Sequence, residues 1–170
     1  MNIQPLGIKS GIYSIRRLRE DEASLYKFMR LEAIQMEPAM FRCTTPAETD
    51  LTDAEWVERV KDPRSVFGLF ANDELIGLTS ILLLNEHEGY LGQSYIRESY
   101  RGKGLSALLY QVRMARATEL QLTRLSVSHR ESNIASKAAN QRFGFRYSRR
   151  ETCNWQDGTT EDVIYYTLDL

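Results

Sequence analysis

The strongest constraint on the fold is a helix held between two strand-like segments. Leu105, Leu108, Leu109 and Val112 recur at the i, i+3, i+4, i+7 spacing of one helical face, so Gly104 to about Thr118 reads as a helix. Tyr90–Ile96 before it and Leu125–Ser128 after it read as strands. Two strands of one sheet joined by a crossover helix form a parallel pair. The surroundings read as antiparallel. Ser65–Ala71 and Glu74–Leu84 form a hairpin about Asn72-Asp73, and Ile81-Leu82-Leu83-Leu84 is the continuous apolar run of a buried central strand. A single parallel step inside an antiparallel sheet argues against a doubly wound nucleotide fold.

The remaining segments complete the pattern. Ile12–Leu18 alternates as a first strand, and Asp21 caps a helix to about Gln35 with Leu25, Phe28, Met29 and Ala33 along one stripe. Residues 36–50 contain Pro38 and Pro46 and read as an irregular connection. Thr52 and Glu55 form a capping box for a second helix carrying Trp56, Val57 and Val60, which stops near Pro63. Asn133–Phe143 reads as a helix with Ile134, Ala135, Ala138 and Ala139 inward and Gly144 at its C-terminal cap. Arg146–Glu151 and Val163–Leu168 close the chain as two strands about Asp157-Gly158. The expected fold is α/β: a mixed, mostly antiparallel sheet of six to seven strands flanked by about four helices. The order is strand, two helices, three strands, helix, strand, helix, two strands. With 170 residues and neither repeat nor linker, residues 1–170 are expected to be a single domain.

Charge and cysteine usage narrow the partners. The 22 basic residues nearly balance the 23 acidic ones, which disfavours a whole-surface nucleic-acid or membrane binder. Met1-Asn2-Ile3-Gln4-Pro5 lacks the basic region and apolar run of a signal peptide, and Leu75–Leu84 is too short to span a bilayer as a helix. A soluble, cytoplasmic protein with no nucleic-acid or membrane partner is the expectation. Cys43 and Cys153 show no metal-ligand spacing and no neighbouring histidine in sequence, so they read as free thiols; no metal site is expected.

The segment Arg101-Gly102-Lys103-Gly104-Leu105-Ser106 joins a strand to a helix N-terminus. The first amides of a helix have no partner within it and point toward any bound anion. Gly102 and Gly104 permit close backbone approach, and Arg101 and Lys103 add positive charge. The hexapeptide alone equally fits a glycine turn with two solvated cations. It lacks the hydroxyl residue after lysine of a nucleotide P-loop, and it lacks the three-glycine dinucleotide fingerprint.

Arg-x-x-Gly-x-Ser at 101–106 resembles the Gln/Arg-x-x-Gly-x-Gly/Ala signature of the GNAT superfamily, the general-control-related N-acetyltransferases; it departs at Ser106, which is still small. Asn133-x-x-Ser136-x-x-x-Asn140-x-x-Phe143-Gly144-Phe145 resembles that family's second motif on the next helix, and the element order agrees along the chain. The resemblance implies an enzyme that binds acetyl-CoA as acyl donor and acetylates an amine of a small molecule or a peptide N-terminus. It implies that the strand ending at Ile96 pairs with the pantetheine arm, that the amides of 102–106 hold the pyrophosphate, and that Asn133 contacts the CoA arm. It also implies a sheet splayed between strands 90–96 and 125–128. Phe41, Arg42 and Glu48 are candidates for the acceptor side, and the apolar C-terminal strands are compatible with a homodimer.

Acetyl transfer to an amine needs a deprotonated acceptor, a polarised carbonyl and a stabilised thiolate. The family's usual proton donor is a tyrosine, but this chain has Asn140 at that position. A carboxamide cannot supply a proton, although its NH₂ can hydrogen-bond the sulfur. Tyr110 and Tyr147 are substitutes for the acid. Glu88, ahead of Glu86 and His87, is the first choice for general base, and His129 has no assigned role. Loss of the tyrosine keeps a second reading open: a non-catalytic module of the same fold that senses acyl-CoA.

Overall fold

The computed structural model describes residues 7–170, so the Met1–Pro5 segment considered above lies outside the described residues. Twelve main elements follow one another: β1 (Gly7–Ser10), β2 (Tyr13–Arg17), α1 (Ala23–Met36), α2 (Asp53–Arg59), β3 (Arg64–Ala71), β4 (Glu74–Leu83), β5 (Glu88–Ile96), α3 (Ser106–Glu119), β6 (Arg124–Arg130), α4 (Ile134–Arg142), β7 (Arg146–Asn154) and β8 (Thr160–Asp169). The strands form one sheet in the order β1-β2-β3-β4-β5-β6-β8-β7. Seven of its strands correspond to those expected. The eighth, β1, adds to the edge through an antiparallel pairing of Gly7–Ser10 with Tyr13–Arg16 about a turn at Gly11. Its short stretch carries no apolar alternation, which is why periodicity passes over it.

The parallel step falls where the crossover helix requires it. β5 and β6 pair in parallel, and every other neighbouring pair is antiparallel. α3 closes the crossover by burying Leu105, Leu108, Leu109 and Val112 in a core shared with Phe67, Leu69, Ile81, Leu91 and Leu125. The opposite face of the sheet is covered by α1 and α2, through Tyr26 and Trp56 against Leu18, Val66 and Phe70. Thr52 caps α2 as expected, its hydroxyl accepting from the Glu55 amide at 3.2 Å. That helix ends at Arg59, before Pro63. No helix among the described residues is long and apolar enough to cross a membrane.

Two helices present different faces from those expected. In α1 the inward stripe is Tyr26, Met29, Arg30 and Ala33, whereas Phe28 is 61% exposed and Leu25 lies at the surface. Two overlapping stripes are available at helical spacing, and the one containing an arginine is inside because Arg30 has a buried partner. Its Nε and Nη2 donate to Glu48 Oε1 and Oε2 at 3.0 and 3.1 Å. In α4, Ile134, Ala135 and Ala138 are exposed, and the half-buried positions are Ser136, Ala139 and Asn140. A polar stripe faces the sheet there.

Two ion pairs make this arrangement testable. Removing one partner of a buried pair strands the other charge, so Glu48→Ala should lower unfolding stability by about 3–5 kcal/mol in urea titration. On the edge of the sheet, the Arg16 guanidinium grips the Glu22 carboxylate at 2.8 and 2.7 Å and holds its pKa down from 4.5 to about 2. The unfolded chain binds that proton more readily, so the pair stabilises the fold above the unfolded value. The contribution is lost as pH falls from about 4.5 toward about 2. Thermal unfolding across that window should show a shallower acid decline in Glu22→Gln than in the parent chain.

Candidate active site

The loop into α3 is built for an anion. Gly102 and Gly104 have φ of +76° and +77°, and a Cβ at either would meet nothing within 4 Å. Glycine is therefore required by the backbone conformation and not by crowding. The first bonds of the helical turn run from the Ala107 amide to the Gly104 carbonyl at 3.2 Å and from Leu108 to Leu105 at 3.0 Å. The amides of residues 102–106 have no acceptor among the described residues. A run of free donors at a helix N-terminus attracts a phosphate by direct hydrogen bonds and by the helix dipole.

These amides border a cavity of about 520 Å³. Ile96, Arg101, Gly102, Gly104, Leu105 and Ser106 line it, with Ser94 and Tyr95 from β5 and Met40 and Phe41 from the α1–α2 connection. Lys103 points to a different cavity, against the β1–β2 hairpin. Arg101 donates from Nε to the Ile96 carbonyl and from Nη2 to Glu37, both at 2.8 Å, which fixes it at the rim.

Ser94, Tyr95 and Ile96, which line the cavity, lie on the part of β5 that has left its parallel neighbour. β5 and β6 pair only at Glu88–Arg124, Gly89–Leu125 and Tyr90–Ser126; beyond these the strands part, leaving the rest of both edges unpaired with each other. A bulge bends β5 at this place: the β4–β5 register shifts between Leu78 and Ser80, and Gln93 has φ of +57°. Tyr26 holds the bulge from below by donating to Gln93 Oε1 at 2.7 Å, and the Thr79 and Ser94 hydroxyls meet at 2.9 Å. From α3, Arg113 donates to the Leu109 carbonyl at 3.1 Å and reaches Ser94 Oγ at 3.3 Å.

A polar network lies on the α1–α2 face of the same opening. Arg42 donates to Tyr165 Oη at 2.6 Å and to Tyr90 Oη at 3.0 Å. The Tyr90 and Ser128 hydroxyls share a short hydrogen bond, and Tyr165 donates to Glu151 at 2.7 Å. Burial raises the Tyr165 pKa, and the Glu151 carboxylate raises it further. Burial works against the Arg42 charge, but the Tyr90 and Tyr165 phenols outweigh it and its pKa is raised. Glu88 begins β5 in the parallel pair farthest from the opening, and its carboxylate accepts from Oγ of Ser126, which pairs at the opening's closed end.

The sequence-derived residues divide clearly. Ile96 and the 101–106 loop, apart from Lys103, line one cavity beside the unpaired part of β5. Asn133 caps α4 by accepting from the Ser136 amide at 3.1 Å, and its Nδ2 approaches Met40 Sδ at 3.6 Å across the cleft. Asn140 lies on the half-buried stripe of α4 with Asn133 and Ser136. Of the acceptor-side candidates, Phe41 lines the cavity and Arg42 anchors the polar network, whereas Glu48 is committed to Arg30. Tyr147 is 59% exposed; Tyr110 stacks on Phe143 with centroids 4.1 Å apart, and burial raises its pKa. His129 is buried within β6 instead of lying on a loop, its Nδ1 bonded to the Arg130 carbonyl at 2.6 Å.

Tyr90, Ser128, Tyr165 and Arg113 were not singled out from sequence. The first two left a trace: Glu88 and Tyr90, like Ser126 and Ser128, put polar groups on one face of central strands where apolar residues are the norm. Arg113 left none, since an arginine on a helix reads as solvated.

The sequence model of the acetyltransferase (GNAT) family matches residues 28–145. No curated protein sequence matches the chain. Among solved structures it is similar to RimL, a ribosomal L7/L12 alpha-N-protein acetyltransferase in complex with coenzyme A, with a TM-score of 0.73 at 18% identity over 98% of each chain. It is similar to ribosomal-protein-S5-alanine acetyltransferase from Vibrio fischeri (TM-score 0.75, 17% identity, 96% of each chain). A third is RimJ of Mycobacterium smegmatis in complex with a CoA disulfide, with a TM-score of 0.71 and 18% identity over 98% of this chain and 86% of that one. At such identities the likeness is one of fold.

The loop geometry leads to a direct expectation. Gly104→Ala forces a side chain into left-handed backbone at a cost of about 1–2 kcal/mol. With nothing packed against it the free loop relaxes to relieve that strain and regains it on binding, so calorimetric titration with coenzyme A should show affinity reduced about tenfold with the melting temperature of the free protein little changed.

Proposed function

Because the chain belongs to the acetyltransferase (GNAT) family, we propose that it transfers the acetyl group of acetyl-CoA directly to an amine, on a small molecule or at a peptide N-terminus. The observation that carries this reading is that the free amides of 102–106 border a cavity also lined by Ser94, Tyr95 and Ile96 on the unpaired part of β5. A donor with an anionic pyrophosphate at one end and an amide-bearing arm at the other matches both halves of that cavity. The amides of 102–106 bind the pyrophosphate. The unpaired edge of β5 up to Ile96 offers backbone groups to the pantetheine amides, and buried backbone polar groups need such partners. Asn133, at the mouth between α4 and Met40, contacts the arm.

The acceptor enters from the α1–α2 face, where Arg42, Tyr90, Tyr165 and Glu151 form a polar wall. A lysine-like ammonium has a pKa of about 10.4 and a peptide α-ammonium one of about 8, so the acceptor must lose a proton before attack. Glu88 serves as base, held in place by Ser126. A backbone N–H near Ile96 polarises the carbonyl, and no covalent enzyme intermediate is needed. Asn140 donates a hydrogen bond toward the sulfur. Peptide N-termini are favoured as acceptors by the two ribosomal-protein acetyltransferases with which this chain shares its fold. The acyl-CoA-sensing alternative has no observation in its favour.

Thiol release measured over a panel of small amines and short peptides tests the activity; binding of acetyl-CoA without turnover on any acceptor would overturn it. In the active enzyme, Glu88→Gln should remove or displace the acid limb of the kcat/KM–pH profile. Asn140→Ala should lower kcat while leaving the fold intact, as read by circular dichroism.

A further inference from the structure

The proposed reaction leaves a negative charge for which no proton donor is assigned. Attack of the amine nitrogen on the thioester carbon forms the C–N bond and breaks the C–S bond. The electron pair leaves on sulfur, and the proton released from the nitrogen passes to the base and thence to water. Asn140 has no proton to give the sulfur.

Arg113 is held at the Ser94 end of the cavity by its contact with that side chain. The cavity begins at the free amides of 102–106 and runs past Ile96, Tyr95 and Ser94 along the unpaired half of β5. Leu109 lines it one turn into α3; Arg113 lies one turn deeper, bonded to the Leu109 carbonyl and to Ser94 Oγ at the β5 bulge. Arg97, Arg101 and Arg116 all reach a carboxylate, but Arg113 has none within ion-pair distance among the described residues. Surrounding atoms desolvate it and bring its pKa down to about 10, and Tyr110 is the titratable neighbour whose charge acts on it. A crowded cation without a counterion is costly on its own and is relieved by an anion arriving beside it.

We propose that the Arg113 guanidinium stabilises the departing CoA thiolate electrostatically, in place of an acid at position 140. This rests on the acetyl-CoA reading above and assigns the leaving-group charge to a residue outside both family motifs. Arginine suits the task, because it holds its charge throughout the working pH range and its planar fork has donors to spare beyond those on Leu109 and Ser94.

The test uses the whole protein and coenzyme A itself, with the bound thiol titrated by its ultraviolet thiolate absorbance. An adjacent cation lowers a thiol pKa, so CoA bound to the parent protein should titrate about one unit or more below free CoA. Arg113→Gln should return it to the free value or above, and Arg113→Lys should keep part of the shift. Circular dichroism and calorimetry establish that each variant is folded and loaded. Equal thiol pKa values in the parent and Arg113→Gln complexes would overturn the inference while leaving the acetyltransferase reading intact. Failure of the parent protein to bind CoA would remove both. In turnover, Arg113→Gln should lose about tenfold or more in kcat with KM for acetyl-CoA little changed, since the charge it answers develops only as the C–S bond breaks.

Discussion

The structure depends on a pairing that stops. β5 and β6 hold together through three parallel residue pairs and then separate, although both strands continue. Elsewhere the sheet satisfies its backbone groups by running on to the next strand, but at this opening two edges are left without each other. Buried N–H and C=O groups seek partners, and an extended molecule with amides of its own can supply them. The bulge at Gln93, fastened by Tyr26, turns β5 as it leaves the paired zone. α3 packs its apolar face beneath and fixes where the loop of free amides stands relative to the gap. The loop of free amides and the opening are thus consequences of one crossover connection.

Charge is distributed around the opening with some economy. Most guanidiniums in the chain are matched to carboxylates, including the buried Arg30–Glu48 pair that ties α1 to the following connection. Arg42 and Arg113 are not, and they face the gap from opposite sides of the sheet: one against the phenols of Tyr90 and Tyr165, the other against Ser94. Two half-buried cations with only neutral partners make the site receptive to negative charge. Acyl transfer generates such charge twice, on the carbonyl oxygen during attack and on sulfur at departure.

α4 completes the cleft in an unusual orientation. Ile134, Ala135 and Ala138 face solvent while Asn133, Ser136, Ala139 and Asn140 face inward, so all but one of the inward positions are polar. A polar stripe turned toward a sheet is reasonable when the space between is a channel for a polar molecule. Asn133 links this helix to the α1–α2 connection through Met40. The Gln156 amide, donating to the Phe41 carbonyl at 2.9 Å, pins the same connection from the β7–β8 hairpin. Distant segments therefore converge on one wall.

The order of elements, the hairpin at Asn72-Asp73, the Thr52 cap and the glycine loop were all legible in the chain itself, because each depends on local chemistry: periodicity, capping and the conformations open to glycine. The two family motifs added the proposal that the 101–106 loop and the β5–β6 opening receive the donor. Which face of α1 and of α4 turns inward was decided only by tertiary structure. Each helix carries two usable stripes, and the choice depends on a distant partner, Glu48 for Arg30 and the channel for Asn140. The β1 edge strand was hidden for a similar reason, since four residues with no alternation become a strand only when β2 is there to pair with them. The Arg42–Tyr90–Tyr165 network and the position of Arg113 lay beyond reading from sequence because they join residues up to 123 positions apart. Local sequence specifies the elements; the charges that meet in the opening are specified only by how those elements pack.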